Sequence, residues 1–212
     1  MRRDRSNCGR LNADGHAQCT LCGTHCEVSR TAVYRRITVC IAACIAVLCG
    51  FYFSLIISSK PLTASQHEGV QRAIAVLRER GFADEVFMLE HFAAFRSTDN
   101  WLNASVAKEN AYAATNFPFE LITLYPDFFT YPADDTERAA ILLHEARHLA
   151  HDDEREAYTF VWRNREKLGW TKEKYSRSPV WLNVRKQTKD TVPELFTCRE
   201  FNFGDCAEAE LQ

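Results

Sequence analysis

After a polar, arginine- and cysteine-bearing start, the chain runs from Ile37 to Ile57 (ITVCIAACIAVLCGFYFSLII) through 21 residues without a charge. At about 1.5 Å per residue that run reaches across the roughly 30 Å hydrocarbon core of a bilayer, and it predicts a transmembrane helix. A buried core helix seldom goes so far without an ionisable group, and the 36 cysteine-rich residues ahead of the run do not suit a cleaved signal peptide. Beyond it the pattern becomes amphipathic. Val70, Ile74 and Leu77 share one side of a helix predicted over Glu68 to Arg80, with Gly81 as its stop. A second apolar segment spans Val86 to Phe95, and residues 97–118 are polar and mostly without periodicity. Glu120 to Tyr125 (ELITLY) reads as a short strand closed by Pro126. A helix follows with the body TERAAILLHEARHLA, capped by Asp134 or Asp135, and then another from Asp153 to about Leu168, ended by Gly169. Trp162, Trp170 and Trp181 read as core and helix-packing groups. No repeat or low-complexity tract interrupts this order. The expectation is an α+β, mainly helical domain over 61–212, behind a segment 1–36 and a membrane span 37–57.

Composition fits one globular domain with attachments: 46% of the 212 residues are hydrophobic and 25% charged. Charge is unevenly placed. Residues 1–36 carry seven Arg against Asp4, Asp14 and Glu27, whereas residues 61–212 carry 18 basic and 25 acidic residues. So acidic a domain lacks the basic face that nucleic acid would require, and no nucleic-acid partner is expected. Arg30, Arg35 and Arg36 precede the apolar run, and only Lys60 follows it before Arg72, which places the N-terminus in the cytoplasm and the large domain in the periplasm or extracellular space. Cys198 and Cys206 could close a disulfide there or remain free buried thiols. Cys40, Cys44 and Cys49 serve as small apolar residues of a lipid-facing helix.

The cytoplasmic segment holds Cys8, Cys19, Cys22 and Cys26 in CGRLNADGHAQCTLCGTHC, where Cys19-x-x-Cys22-Gly is a turn that can present two thiolates to one zinc. It resembles the short zinc ribbons that precede membrane spans, with Cys8, Gly9 and Asn12 matching the first half and Arg5 standing where that pattern has a cysteine. Closing a tetrahedral site would then need Cys26, His25 or His16; the alternative is a reduced tail with incidental cysteines.

Within the long helix, His144-Glu145-Ala146-Arg147-His148 is an HExxH motif. Residues four apart project from one helix face, so both imidazoles can meet one Zn²⁺ while Glu145 faces the open coordination position as general base. Arg147 is unusual between the glutamate and the second histidine and could lie on the far face. The third ligand must come from the stretch His151-Asp152-Asp153-Glu154-Arg155-Glu156. On a helix starting near Asp153, Glu154 shares a face with Ala157, Tyr158 and Val161, and Glu156 is turned away from it. Glu154 is therefore the expected ligand; a later helix start would favour Asp152 or Asp153, and a first helix continuing onward would bring in His151, seven residues after His144.

These residues resemble the zincin metallopeptidases, and more closely the gluzincin-like group in which HExxH is followed by a second helix bearing ExxA, here Glu154-Arg155-Glu156-Ala157. The resemblance covers about residues 119–162. It implies a compact zincin-like domain, Zn²⁺ held by His144, His148 and Glu154, Glu145 as base, a protein or peptide substrate, and an edge strand over Leu121 to Tyr125 that holds the substrate. Tyr158, Tyr175 and Arg177 are available for transition-state support. The rival reading is a membrane-anchored sensor or scaffold whose metal site is structural.

Overall fold

The computed structural model describes residues 30–104, 112–116 and 120–196. The candidate ribbon ligands Cys8, Cys19, Cys22 and Cys26, and the pair Cys198 and Cys206, lie outside the described residues. The chain divides into two compact units, Met1–Phe51 and Tyr52–Gln212. Helix α1 (Arg30–Ser58) carries the apolar run, and its stretch from Val33 to Ser58, with mean hydropathy 2.5, is long and apolar enough to cross a membrane.

In the second unit, α2 (Ala64–Glu79) begins earlier than its apolar pattern. The cause is a capping box: Thr63 Oγ1 accepts from the Gln66 N–H while the Gln66 side chain accepts from the Thr63 N–H. Gly69, Val70, Ala73, Ile74 and Leu77 form its buried face. The next apolar segment is not one element. It splits into α3 (Ala83–His91) and β1 (Ala94–Arg96). Strand β2 (Ala113–Asn116) lies in the region that showed no periodicity, and β3 (Leu121–Leu124) falls where ELITLY indicates a strand, ending as Pro126 opens the short α4 (Pro126–Thr130).

The sheet corrects one expectation. Its order is β1-β3-β2, with β1 parallel and β2 antiparallel to β3, so Leu121 to Leu124 is the central strand and not the edge. All four of its residues are buried, the polar Thr123 included, as in a strand covered on both faces. The edge beside the motif helix is β2.

Helix α5 (Asp135–Leu149) is the axis of this unit, packed against α2, α3, α6 and β2. Ala139 through Leu143, Ala146 and Leu149 are all buried, so most of its circumference is covered. Asp134 caps its start, accepting from the N–H groups of Thr136 at 3.0 Å and Glu137 at 3.2 Å. Glu137, fully buried, accepts from Ala133 N, Trp170 Nε1 and Ser178 Oγ, tying the start of α5 to two later segments. Its far end closes in a Schellman turn: His151 takes φ 69°, its N–H bonding the His148 carbonyl and the Asp152 N–H that of Arg147. Asp153 then caps α6 (Glu154–Leu168), which ends at Gly169 with φ 79°. Helices α7 (Lys172–Tyr175) and α8 (Pro179–Thr191) and a 3-10 turn over Pro193–Phe196 complete the chain's described part. They enclose Trp162, Trp170 and Trp181, whose rings lie 4.9–6.2 Å apart with Phe196 against Trp162.

Candidate metal centre

The tight turn between α5 and α6 builds the site. His144 and His148 project from the last two turns of α5, and the turn over 150–153 brings the first residue of α6 back over them. His144 Nε2 and His148 Nε2 are 3.1 Å apart. Glu154 Oε2 is 3.3 Å from His144 Nε2, and its Oε1 is 3.5 Å from His148 Nε2. Ligands about 2.05 Å from a tetrahedral zinc stand about 3.3 Å from one another. The three separations bracket that edge, so the donor set fits such an ion in both chemistry and spacing. Among the described residues these three form a His/Glu group able to hold a metal. The imidazoles are largely buried while the Glu154 side chain is 66% exposed, so the site opens toward solvent past the carboxylate.

The same closeness polarises the groups. Glu154 is held well below the usual carboxylate range by His144 first and His148 second, against the effect of its partial burial. For His148, burial works against the charged form, but hydrogen bonding to Glu154 and to the Asp152 backbone, with the charges of Glu145 and Glu154, pushes its pKa up to about 9.

Around the ligands the two imidazoles are supported differently. His148 Nδ1 donates to the Asp152 carbonyl at 3.0 Å, which leaves Nε2 as the donor toward a metal. His144 Nδ1 is buried with no hydrogen-bond partner among the described residues, and its ring lies against Tyr158 at 4.4 Å. Arg147 does not enter the site. Its guanidinium bonds Asp152 Oδ2 at 2.7 Å and Glu85 Oε1 at 3.0 Å and covers the Phe160 ring at 4.3 Å, so the residue that departs from the zincin pattern clamps the turn that orients His148.

Glu145 is 4% exposed and accepts a 2.7 Å hydrogen bond from Thr115 Oγ1 on β2. Thr115 has no counterpart in the sequence reading, because β2 is too short and polar to announce itself. The competing ligands are engaged elsewhere: Asp152 with Arg147, and Asp153 and Glu156 with each other across the capping box. Tyr158 donates to Gln187, Tyr175 donates to Asp134 at the opposite end of α5, and Arg177 is exposed in the turn after α7. Of the three, only Tyr158 adjoins the histidines.

Comparison of the chain with family models, with curated proteins and with solved structures returns no match.

Proposed function

We propose that the protein is a membrane-anchored zinc metallopeptidase whose catalytic domain lies on the periplasmic or extracellular side. The observation that carries this reading is the convergence of His144, His148 and Glu154 at tetrahedral-edge spacing, with Glu145 next to the first ligand in sequence. The side assignment rests on Arg30, Arg35 and Arg36, which lie in the first turns of α1 ahead of the apolar run.

When bound, zinc supplies Lewis acidity, which acidifies water and polarises a peptide carbonyl. Glu145 takes a proton from the attacking water as its oxygen bonds the carbonyl carbon, then hands that proton to the amine nitrogen as the C–N bond breaks. Thr115 holds Oε2 of Glu145, which aims the carboxylate and leaves Oε1 to carry the proton. Substrate would pair in extended form along β2, whose outer edge has no strand partner among the described residues. A purely structural zinc has no use for a buried carboxylate beside it, and the position of Glu145 therefore favours hydrolysis over the scaffold reading.

The test uses full-length protein in detergent, with zinc content measured beside hydrolysis of labelled denatured casein. The His144→Ala/His148→Ala variant should hold about one zinc per chain fewer than wild type, a difference that any zinc on Cys8, Cys19, Cys22 and Cys26 leaves unchanged. Glu145→Gln should keep the metal and lose hydrolysis, and Thr115→Val should keep the metal and slow turnover roughly tenfold or more. Equal zinc in wild type and the double histidine variant would overturn the metal centre; bound zinc with hydrolysis indifferent to Glu145→Gln would leave only the scaffold.

A further inference from the structure

The last turns of α1, from Tyr52 onward, belong to the second compact unit, and the loop over 97–104 is fastened to them. Leu55 is 2% exposed, so this part of the helix is packed within the second unit. Trp101 N donates to Ser58 Oγ and Trp101 Nε1 to Ser54 Oγ, each at 3.2 Å, one turn apart on the helix. Just past the helix end, Lys60 N donates to Thr98 Oγ1 and Ser97 N to the Lys60 carbonyl, both at 2.9 Å. Asn100, 2% exposed, accepts from the Leu102 and Asn103 N–H groups and so stiffens the loop tip, while Asp99 accepts from the Tyr125 hydroxyl beyond β3. The loop is thus a built feature, held at both the helix and the sheet.

Its outward face is apolar. Trp101 keeps 53% of its surface exposed even after spending its indole N–H on Ser54, and Leu102 keeps 43%. One residue back from Ser54 and Ser58, about 100° round the helix, Phe53 and Ile57 are 58% and 82% exposed. Ser54 lies three residues inside the end of the apolar run, which is about 4.5 Å along the axis. An indole bonded there stands at the level where hydrocarbon gives way to headgroups, the depth that suits a ring with an apolar body and one polar N–H. Lys60, exposed at the helix end, is placed for headgroup phosphates.

We propose that the loop over 99–103 is a second membrane contact, with Trp101 and Leu102 seated in the headgroup region beside the end of α1. The proposal rests on α1 being a membrane span and is independent of the peptidase reading. It gives the second unit a lipid contact of its own beside the end of α1.

The chain supplies its own reporter, because Trp162, Trp170 and Trp181 are at most 1% exposed and only Trp101 can reach lipid. Full-length protein is reconstituted into phosphatidylcholine vesicles with plain or brominated acyl chains, and incorporation is checked by flotation. Bromine near the headgroups should quench part of the tryptophan emission, more than bromine at the bilayer centre, and Trp101→Phe should abolish that difference while still floating. Flotation without bromine quenching overturns the loop contact and leaves the span intact. Failure to float overturns both. Quenching that persists in Trp101→Phe, or shielding of Trp101 that vanishes on dilution as for contact with a second copy, also overturns the proposal.

Discussion

Glu154 and Glu156 stand two residues apart in the first turn of α6, and the structure gives them opposite duties. Glu154 faces both imidazoles at 3.3 and 3.5 Å, whereas Glu156 accepts from the Asp153 N–H at 3.1 Å as the return half of a capping box. In the proposed centre, losing Glu154 removes one of three protein ligands. Changes to groups that merely support a ligand cost about 10–100-fold in metal affinity, so Glu154→Ala should weaken zinc by at least about 100-fold, or roughly 2.7 kcal/mol. Glu156→Ala should leave affinity within a few fold and cost about 0.5–1 kcal/mol of stability, a fall of roughly 1–4 °C in Tm, because the Asp153 carboxylate still caps the Glu156 N–H at 2.8 Å. In metal-free protein Glu154→Ala should change Tm little, since its side chain is 66% exposed and solvent screens its pairing. The assay is competition against a zinc chelator with full-length protein in detergent, beside thermal melts without metal. Zinc affinity of Glu154→Ala within threefold of wild type, or an equal loss in both variants, would refute the ligand assignment.

Two further outcomes follow from the ends of α5. Asp134→Ala should cost about 1–2 kcal/mol at neutral pH, because it strands two helix N–H groups and the partners Lys174 and Tyr175. Partial burial opposes ionisation of Asp134, but Lys174, Tyr175 and the Glu137 N–H prevail and lower its pKa. A depressed carboxylate contributes stability that is present above its unfolded value near 4 and is lost as pH falls through the folded one, so the gap between wild type and Asp134→Ala should narrow below about pH 4 in denaturant titrations. At the other end, His151 occupies a left-handed position with φ 69°, and His151→Gly should stabilise by roughly 0.5–1 kcal/mol with zinc content unchanged. A loss of metal in that variant would return His151 to the list of ligands.

Periodicity left α3, α4, α7 and α8 unread but located α2, α5 and α6, because a helix repeats its relation to the core every few residues and each of their turns restates it. Their ends were also readable where a side chain closes the backbone: Asp153 and Gly169 bound α6 as expected, and Thr63 with Gln66 explains why α2 begins before its apolar stripe. The sheet resisted. β1 is three residues at the end of an apolar segment that also contains α3, and β2 pairs only because β3 lies beside it. Strand order is a long-range property. In LITL, Leu121 is apolar on one face and Ile122 and Leu124 on the other, which argues for a central strand over an edge, and that local sign outweighs the family-based expectation of an edge.

The centre divides along the same line. Its three candidate ligands occupy eleven consecutive residues on two helices and one short turn, so helical angles alone bring them together. Arg147 bonding Asp152 is equally local and was within reach of the same geometry, since a Schellman turn folds the residue after the αL position back toward the last helical turn. Support for Glu145 is of another kind. Thr115 lies thirty residues upstream, and its hydroxyl faces α5 only in the register that sets Thr115 opposite Ile122, on the buried side of the sheet. A slip of one residue would turn Asn116 or Ala114 inward and leave the carboxylate without its donor. Where a metal would be held is thus decided by neighbours in sequence, and how the Glu145 carboxylate is aimed is decided by the pairing of β2 with β3.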